Sequence, residues 1–245
     1  MALSQEDRLI LDAAKRELVT ANRILNREGI LDAYGHLSIR HPLRPDRLLI
    51  SRDRAPGLVE ADDVLELDLE GEEPEPTGSG LYGERYIHAA VYAARPDINA
   101  VCHNHATEFL PFTVVESVPL DIVVHMAAIM GGPIPLWDMA VDFGPDTDLL
   151  VACMDHGRSL VRTLGDGYGV LMRGHGSVVV GSDVRWAVAR SIELVKNAKV
   201  QMDARALGDI TPIYDGEIKA FMEMTPSGNS GFHRAWEYWS RRAGM

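Results

Sequence analysis

The chain has 245 residues, 46% of them hydrophobic and 24% charged, with a formal charge of −12 at pH 7. That length suits one large domain or two small ones and can bury a sizeable core. The acidic balance argues against general affinity for nucleic acid or anionic membrane, so an anionic substrate needs a local metal ion or a few arginines to draw it in.

The opening MALSQEDRLI lacks a basic stretch followed by an apolar one, and no apolar run reaches the roughly 18 residues that span a bilayer. Cys102 and Cys153 form no disulfide-like or metal-like spacing. A reduced, cytoplasmic protein is expected. In residues 5–28, Ile10, Leu11, Ala14, Leu18, Ala21 and Leu25 recur at helical spacing, and Gly29 supplies a stop. HLSIR (36–40) alternates as a strand, with His36, Ser38 and Arg40 on one face. RLLIS (47–51) and VLELDLEG (64–71) also read as strands, followed by an acidic Pro/Gly-rich loop over 72–80. Residues 83–97 predict a helix ended by Arg95-Pro96, and 98–106 a strand. DIVVHM and PIPLWDM predict further strands, 147–164 a helix, 169–181 two strands meeting at a turn, and 183–206 a long helix capped by Ser182. A short helix is expected after Tyr214, and the tail carries Trp236 and Trp239 among charges. Strands with flanking helices imply a single α/β domain over 1–245, with helices on both faces of a sheet.

Three clusters carry chemistry. His103 and His105 lie two apart on a predicted strand, so both imidazoles point the same way and suit one divalent ion. The same spacing also fits two half-buried histidines bonded to backbone. His175 sits between Gly174 and Gly176 at a turn, thrust toward a cleft or simply lying at the surface. Glu84 opens the helix that leads into the histidine strand, where a carboxylate is also favoured by the helix dipole, and His88 follows one turn later on the same face.

GERYIHAAVYAARPDINAVCHNHA together with MRGHGSVVVG resembles the class II aldolase/adducin family, over about residues 9–207. The resemblance implies a three-layer α/β/α sandwich with a mostly antiparallel sheet. It also implies a homotetramer with active sites between neighbouring subunits, so that 208–245 forms a C-terminal extension at a subunit interface. It makes His103, His105 and His175 the ligands of one divalent ion per subunit, and Glu84 the acid/base. Where sugar-phosphate aldolases of the family hold phosphate with Gly-Asn-x-Ser, Ser/Thr-Gly and Ser-Ser, this chain has Gly35-His36-Leu37-Ser38, Ser51-Arg52 and Tyr82-Gly83. Hydroxyls are lost, and an arginine, which suits a carboxylate bidentately, has entered.

YGHLSIRHP, ISRDRAPGLVEADD, GERYIH and HMAAIMGGPIPLWD are most similar to the family's metal-dependent aromatic decarboxylases, those of hydroxy-methylpyridine-dicarboxylate and dihydroxyphthalate type. The expected activity is therefore decarboxylation of a hydroxylated aromatic or heteroaromatic carboxylate, using Mn²⁺, Zn²⁺, Fe²⁺ or Co²⁺. Glu84 is the expected proton carrier, with His88 orienting it or touching substrate. His36, Ser38, Arg40, Ser51, Arg52, His125 and Tyr214 are the candidate substrate contacts. For Arg40 and Arg52 the alternative is a solvated surface charge, and for His125 and Tyr214 it is packing. Trp137-Asp138 fits either a pocket wall or the core, while His41, His156 and His233 read as surface or interface residues. Rival activities are an aldolase or dehydratase for a small hydroxy-carbonyl compound, an Fe²⁺ oxygenase, and a binding scaffold that kept the fold.

Overall fold

The computed structural model describes residues 4–224 and 230–245. Helix α1 (Gln5–Arg27) starts at Ser4, whose hydroxyl accepts the Asp7 N–H while the Asp7 carboxylate accepts the Ser4 N–H. Then come β1 (His36–Arg40), β2 (Arg47–Ser51), β3 (Val64–Asp68), α2 (Arg85–Ala94) and β4 (Ala100–Asn104). The order continues with α3 (Leu110–Val114), β5 (Leu136–Trp137), α4 (Met139–Phe143), α5 (Met154–Leu164), β6 (Gly169–Met172) and β7 (Gly176–Gly181). The chain closes with α6 (Val184–Arg205), α7 (Asp215–Met224) and α8 (Ser230–Arg242).

The seven strands make one sheet in the order β3-β2-β1-β4-β7-β6-β5. Every pairing is antiparallel except β5 with β6. Alternation along the strands serves two cores, one on each face. On one face Leu48, Ile50, Val101, Val170, Val178 and Val180 pack with Ile87 and Val91 of α2 and Leu160 and Leu164 of α5. On the other, Leu37, Ile39, Leu49, Ala100 and Cys102 meet α1 and α6 through Leu18, Leu25, Val188 and Ile192. The result is a three-layer α/β/α sandwich with a mostly antiparallel sheet.

Several local expectations are corrected. DIVVHM is not a strand. Residues 121–124 run beside α6, and a 3₁₀ helix takes over at His125–Met130. Their backbone is paired by two buried amides one turn apart. Asn197 Oδ1 accepts from the Val123 and Val124 N–H groups, and Gln201 Oε1 from that of Asp121. Their amide nitrogens donate back to the carbonyls of Asp121 and Pro119. Side chains thus replace a neighbouring strand. Within PIPLWDM only Leu136–Trp137 pairs along a strand, with Ile134 bridging to Leu120. Helix α5 starts at Met154 rather than 147, because the preceding residues line the site described next. Helix α6 is capped by Asp183, whose carboxylate accepts the Trp186 N–H, not by Ser182. His41 is 2% exposed, not a surface residue. The helix expected after Tyr214 is α7, whose Ile218 packs with the 3₁₀ helix and α6, while Trp239 of α8 packs with α1 and α6.

Candidate metal centre

Strand register lays out the site. Pairing of β1 with β4 sets His36 directly across from His103. The β1–β2 register, Ser38 with Ile50, puts Arg52 across from His36 when continued by two residues. β1 and β4 thus carry His36 and His103 side by side, facing the α2/α5 layer, and Arg52 is the residue that follows the neighbouring β2. His105 follows β4. His175 comes from the β6–β7 turn, where Gly174 adopts φ +64° and a Cβ at Gly176 would lie 2.2 Å from the Asn104 carbonyl oxygen. Glu84 stands at the start of α2.

These elements bring together one ligand atom each from Glu84, His103, His105 and His175, all within 4.8 Å of one another. His105 Nε2 and His175 Nε2 are 3.1 Å apart. Glu84 Oε2 lies 3.2 Å from His103 Nε2 and 3.4 Å from His175 Nε2. Donors about 2.1 Å from a shared cation lie roughly 3.0–3.4 Å from one another in octahedral or tetrahedral arrangements. The outer ring nitrogens fix the tautomers. His103 Nδ1 donates to the Ser177 carbonyl at 3.1 Å and His175 Nδ1 to the Leu149 carbonyl at 2.9 Å, which turns both Nε2 lone pairs inward. His105 Nδ1 lies 3.7 Å from Asp32 Oδ1. His103 Nε2 is fully buried without a hydrogen-bond partner. A buried lone pair facing other lone pairs and a carboxylate is unfavourable unless a cation sits among them, so the donor set fits a divalent ion.

Electrostatics agree for Glu84 and His105. Burial pushes the Glu84 carboxyl upward, but His103 and then His175 outweigh it and hold it well below the carboxylate range. Its Oε1 accepts the Val151 N–H at 3.0 Å. Burial, then His103 and His175, pushes His105 down to about 4, which keeps it neutral as a ligand must be. Burial also opposes the charging of His175, but Glu84 more than offsets this and raises its pKa.

The other sequence-predicted residues divide. His36 rests against His103 and Tyr82 at ring-centroid distances of 5.0 and 4.6 Å. Ser51 Oγ bonds the Tyr82 hydroxyl at 2.9 Å. Arg52 Nε donates to Asp63 at 2.7 Å and its side chain stays 41% exposed. His88 does not meet Glu84 through a hydrogen bond. It is fully buried, with Nε2 on His36 and Nδ1 on Ser38, both at 2.6 Å. Arg40 points along the same face but is spent on the carbonyls of Ile98, Pro45, Tyr92 and Arg95. His125 belongs to the opposite layer, ring against ring with Phe221 of α7. Tyr214 is 67% exposed ahead of α7. Trp137 is core, its indole N–H donating to Ser159 Oγ. Sequence reasoning missed Leu149, Val151 and Ser177, which act through backbone groups that carry no residue-type signature. It named Tyr82 only as the replacement for a serine and missed Tyr92; their hydroxyls meet Ser51 and Ser38.

Fold and site together define a three-layer α/β/α protein built around a candidate divalent-ion centre. Residues 16–202 match the Class II Aldolase and Adducin N-terminal domain, and the chain belongs to that family. It is 34% identical to Decarboxylase tropJ of Talaromyces stipitatus over 92% of each chain. It is 25% identical to the 3,4-dihydroxyphthalate decarboxylase of Arthrobacter keyseri, again over 92% of each. L-fuculose 1-phosphate aldolase from Glaciozyma antarctica PI12 shares the fold, with a TM-score of 0.78 at 23% identity over 100% of this chain and 94% of that one. These relatives are lyases.

Proposed function

We propose that the chain is a divalent-metal-dependent lyase that decarboxylates a hydroxylated aromatic or heteroaromatic carboxylate, working in the cytoplasm as a homotetramer. The buried, unpartnered Nε2 of His103 within the Glu84/His103/His105/His175 cluster carries the metal-dependent part. The decarboxylase relatives, together with the partly exposed guanidinium of Arg52 just past β2, support a carboxylate substrate.

His103, His105 and His175 would hold Mn²⁺, Zn²⁺, Fe²⁺ or Co²⁺ through Nε2. A bound ion would supply Lewis acidity that lowers the pKa of a hydroxyl ortho to the scissile carboxylate and stabilises the negative charge left on the ring. Glu84 takes the hydroxyl proton on Oε2 and later delivers it to the ring carbon that keeps the electron pair of the broken C–C bond as CO₂ leaves. The Val151 N–H steadies Oε1 during both transfers. Arg52, anchored by Asp63 yet partly exposed, faces a second carboxylate. Tyr82 commits its hydroxyl to the Arg54 carbonyl and Ser51. It closes with a ring the place where sugar-phosphate aldolases offer a serine. Tyr214 is exposed in the single chain, consistent with a role at a neighbouring subunit.

The test is incubation of the metal-loaded protein with 3,4-dihydroxyphthalate and hydroxypyridine-dicarboxylates. The expected result is one CO₂ per acid consumed, without oxygen uptake. Cleavage of hydroxy-carbonyl compounds to an aldehyde with no CO₂ from any acid would make it an aldolase. Oxygen consumption would make it an oxygenase.

A further inference from the structure

Behind the metal centre lies a buried string of polar groups that metal binding does not use. The Tyr92 hydroxyl meets Ser38 Oγ at 2.9 Å, Ser38 Oγ meets His88 Nδ1 at 2.6 Å, and His88 Nε2 meets His36 Nδ1 at 2.6 Å. All four side chains are 3% exposed or less. Their order is fixed by β1, which carries His36 and Ser38 on one face, and by α2, which carries His88 and Tyr92 one turn apart.

The protons on this string have one self-consistent arrangement. Burial pushes the Tyr92 phenol well up. Contacts from Ser38, then Arg40 and the Val101 backbone, pull it back only in part, so it keeps its proton at neutral pH. Ser38 Oγ is the hydrogen-bond partner the phenol meets, at 2.9 Å. The phenol therefore donates to Ser38 Oγ. Ser38 is fully buried, with His88 Nδ1 as its other partner, so its own proton goes there. The reverse order would strand a buried hydroxyl proton, a loss that close-packed interiors avoid. His88 is neutral, pushed down to about 3 chiefly by burial, so its one proton sits on Nε2 and is donated to His36 Nδ1. With its Nδ1 accepting from His88, His36 carries its own proton on Nε2.

We propose that Tyr92, Ser38 and His88 are positioning residues that lock His36 as an Nε2–H donor beside the metal centre, making it a selector for an anionic substrate oxygen. A donor there attracts a carboxylate or phenolate oxygen and repels a group that itself presents only donors. His36 is paired directly across from His103, their rings 5.0 Å apart, and Arg52 follows the strand on the other side of β1, so an acid bound at the ion and reaching for that arginine would pass this donor. The choice of an acid as occupant rests on the carboxylate reading above. The tautomer does not.

Long-range ¹H–¹⁵N correlation spectra of the ¹⁵N-histidine-labelled zinc protein test both parts without turnover. The expected wild-type result is Nε2 protonated and Nδ1 bare in both His36 and His88. An Nδ1–H form of either ring overturns the chain. In Ser38→Ala the bias is gone, so a second His36 tautomer appears while zinc content stays at one per subunit. A single unchanged tautomer in that variant would also overturn the assignment. Adding phthalate should shift the His36 Nε2–H resonance, and Ser38→Ala should weaken phthalate binding about ten- to a hundredfold, the range for a hydrogen bond to a charged acceptor. No shift and no weakening, with the tautomer as expected, overturns the donor role. A shifted His36 with no decarboxylation of any acid leaves this inference standing and removes the functional reading instead.

Discussion

The Leu149 carbonyl accepts the Nδ1 proton of His175 at 2.9 Å, and Leu149 does so at φ +64°. Among the described residues it is the one non-glycine residue with a positive φ. The left-handed region costs an L-residue about 1–2 kcal/mol, and here that cost fixes the tautomer of a candidate ligand. Proline locks φ near −65°, so Leu149→Pro must turn the carbonyl away. Zinc affinity, read by competition with a chromophoric chelator, should fall about 10–100-fold, whereas Leu149→Gly should stay within a few-fold of wild type. Equal affinities in Leu149→Pro and wild type would dismiss the carbonyl as a tautomer lock.

Glu84 offers a cleaner separation of binding from chemistry. Glutamine keeps an oxygen for the Val151 N–H but cannot shuttle a proton. Glu84→Gln should retain metal by elemental analysis and lose about 10²–10⁴ in kcat on the accepted acid. Unchanged turnover would remove Glu84 as proton carrier, and loss of metal would show that its main work is ligation.

Metal and fold are coupled. A site with a buried, unpartnered His103 Nε2 gains stability when a cation enters. At a hundredfold excess over Kd this amounts to about 2.7 kcal/mol. Chelated protein should therefore melt several degrees below protein resupplied with Zn²⁺ or Mn²⁺. The difference should vanish in His105→Ala, and an undiminished metal response in that variant would exclude His105 from the ligand set.

How much of this was legible in the chain depends on what carried the information. The convergence of Glu84, His103, His105 and His175 was readable because strand alternation, a helix start and a glycine-flanked turn each leave a residue-type trace. His88 shows where the same rules stop. Helical spacing put it one turn from Glu84, but the strand register of β1 decides its partners, and these are His36 and Ser38. The DIVVHM segment reads as a strand by its β-branched content, yet Asn197 and Gln201, some 75–80 residues away, complete its backbone pairing. Leu149 and Val151 contribute a carbonyl and an N–H, groups every residue has, so nothing in their identity announces them.

His41 carries a pH dependence separate from the metal site. Its Nδ1 accepts the backbone N–H groups of Leu43 and Arg44, each at 3.1 Å, which protonation would forbid. Burial, then Arg44, pushes its pKa from an ordinary 6.5 down to about 4. The unfolded chain thus binds the extra proton first as pH falls. The stabilisation is fully present above about 6.5 and is lost as pH drops toward 4. His41→Asn keeps an acceptor that does not titrate. The stability gap between wild type and variant, from urea unfolding, should favour wild type less at pH 4.5 than at pH 7. A gap independent of pH would mean that His41 does not titrate there.

Arg40 and Arg52 were both candidate substrate contacts in the sequence, with Arg52 the favoured carboxylate partner, and their surroundings give them opposite expected phenotypes. Arg40 donates to four backbone carbonyls, of which Tyr92 and Arg95 lie at the C-terminal end of α2. Arg40→Ala strips partners from all four and should cost about 2–4 kcal/mol of stability, with KM of the folded enzyme nearly unchanged. Arg52 shares Asp63 with Arg54, whose Nη1 reaches both carboxylate oxygens at 3.0 and 2.8 Å. Removing Arg52 therefore leaves Asp63 paired, and the melting temperature should move little. If Arg52 holds a substrate carboxylate, Arg52→Ala raises KM about tenfold or more and leaves kcat largely intact, the pattern of lost ground-state binding. The reverse outcome, a stable Arg40→Ala with raised KM beside a kinetically normal Arg52→Ala, would exchange the two roles and move the carboxylate subsite along β1.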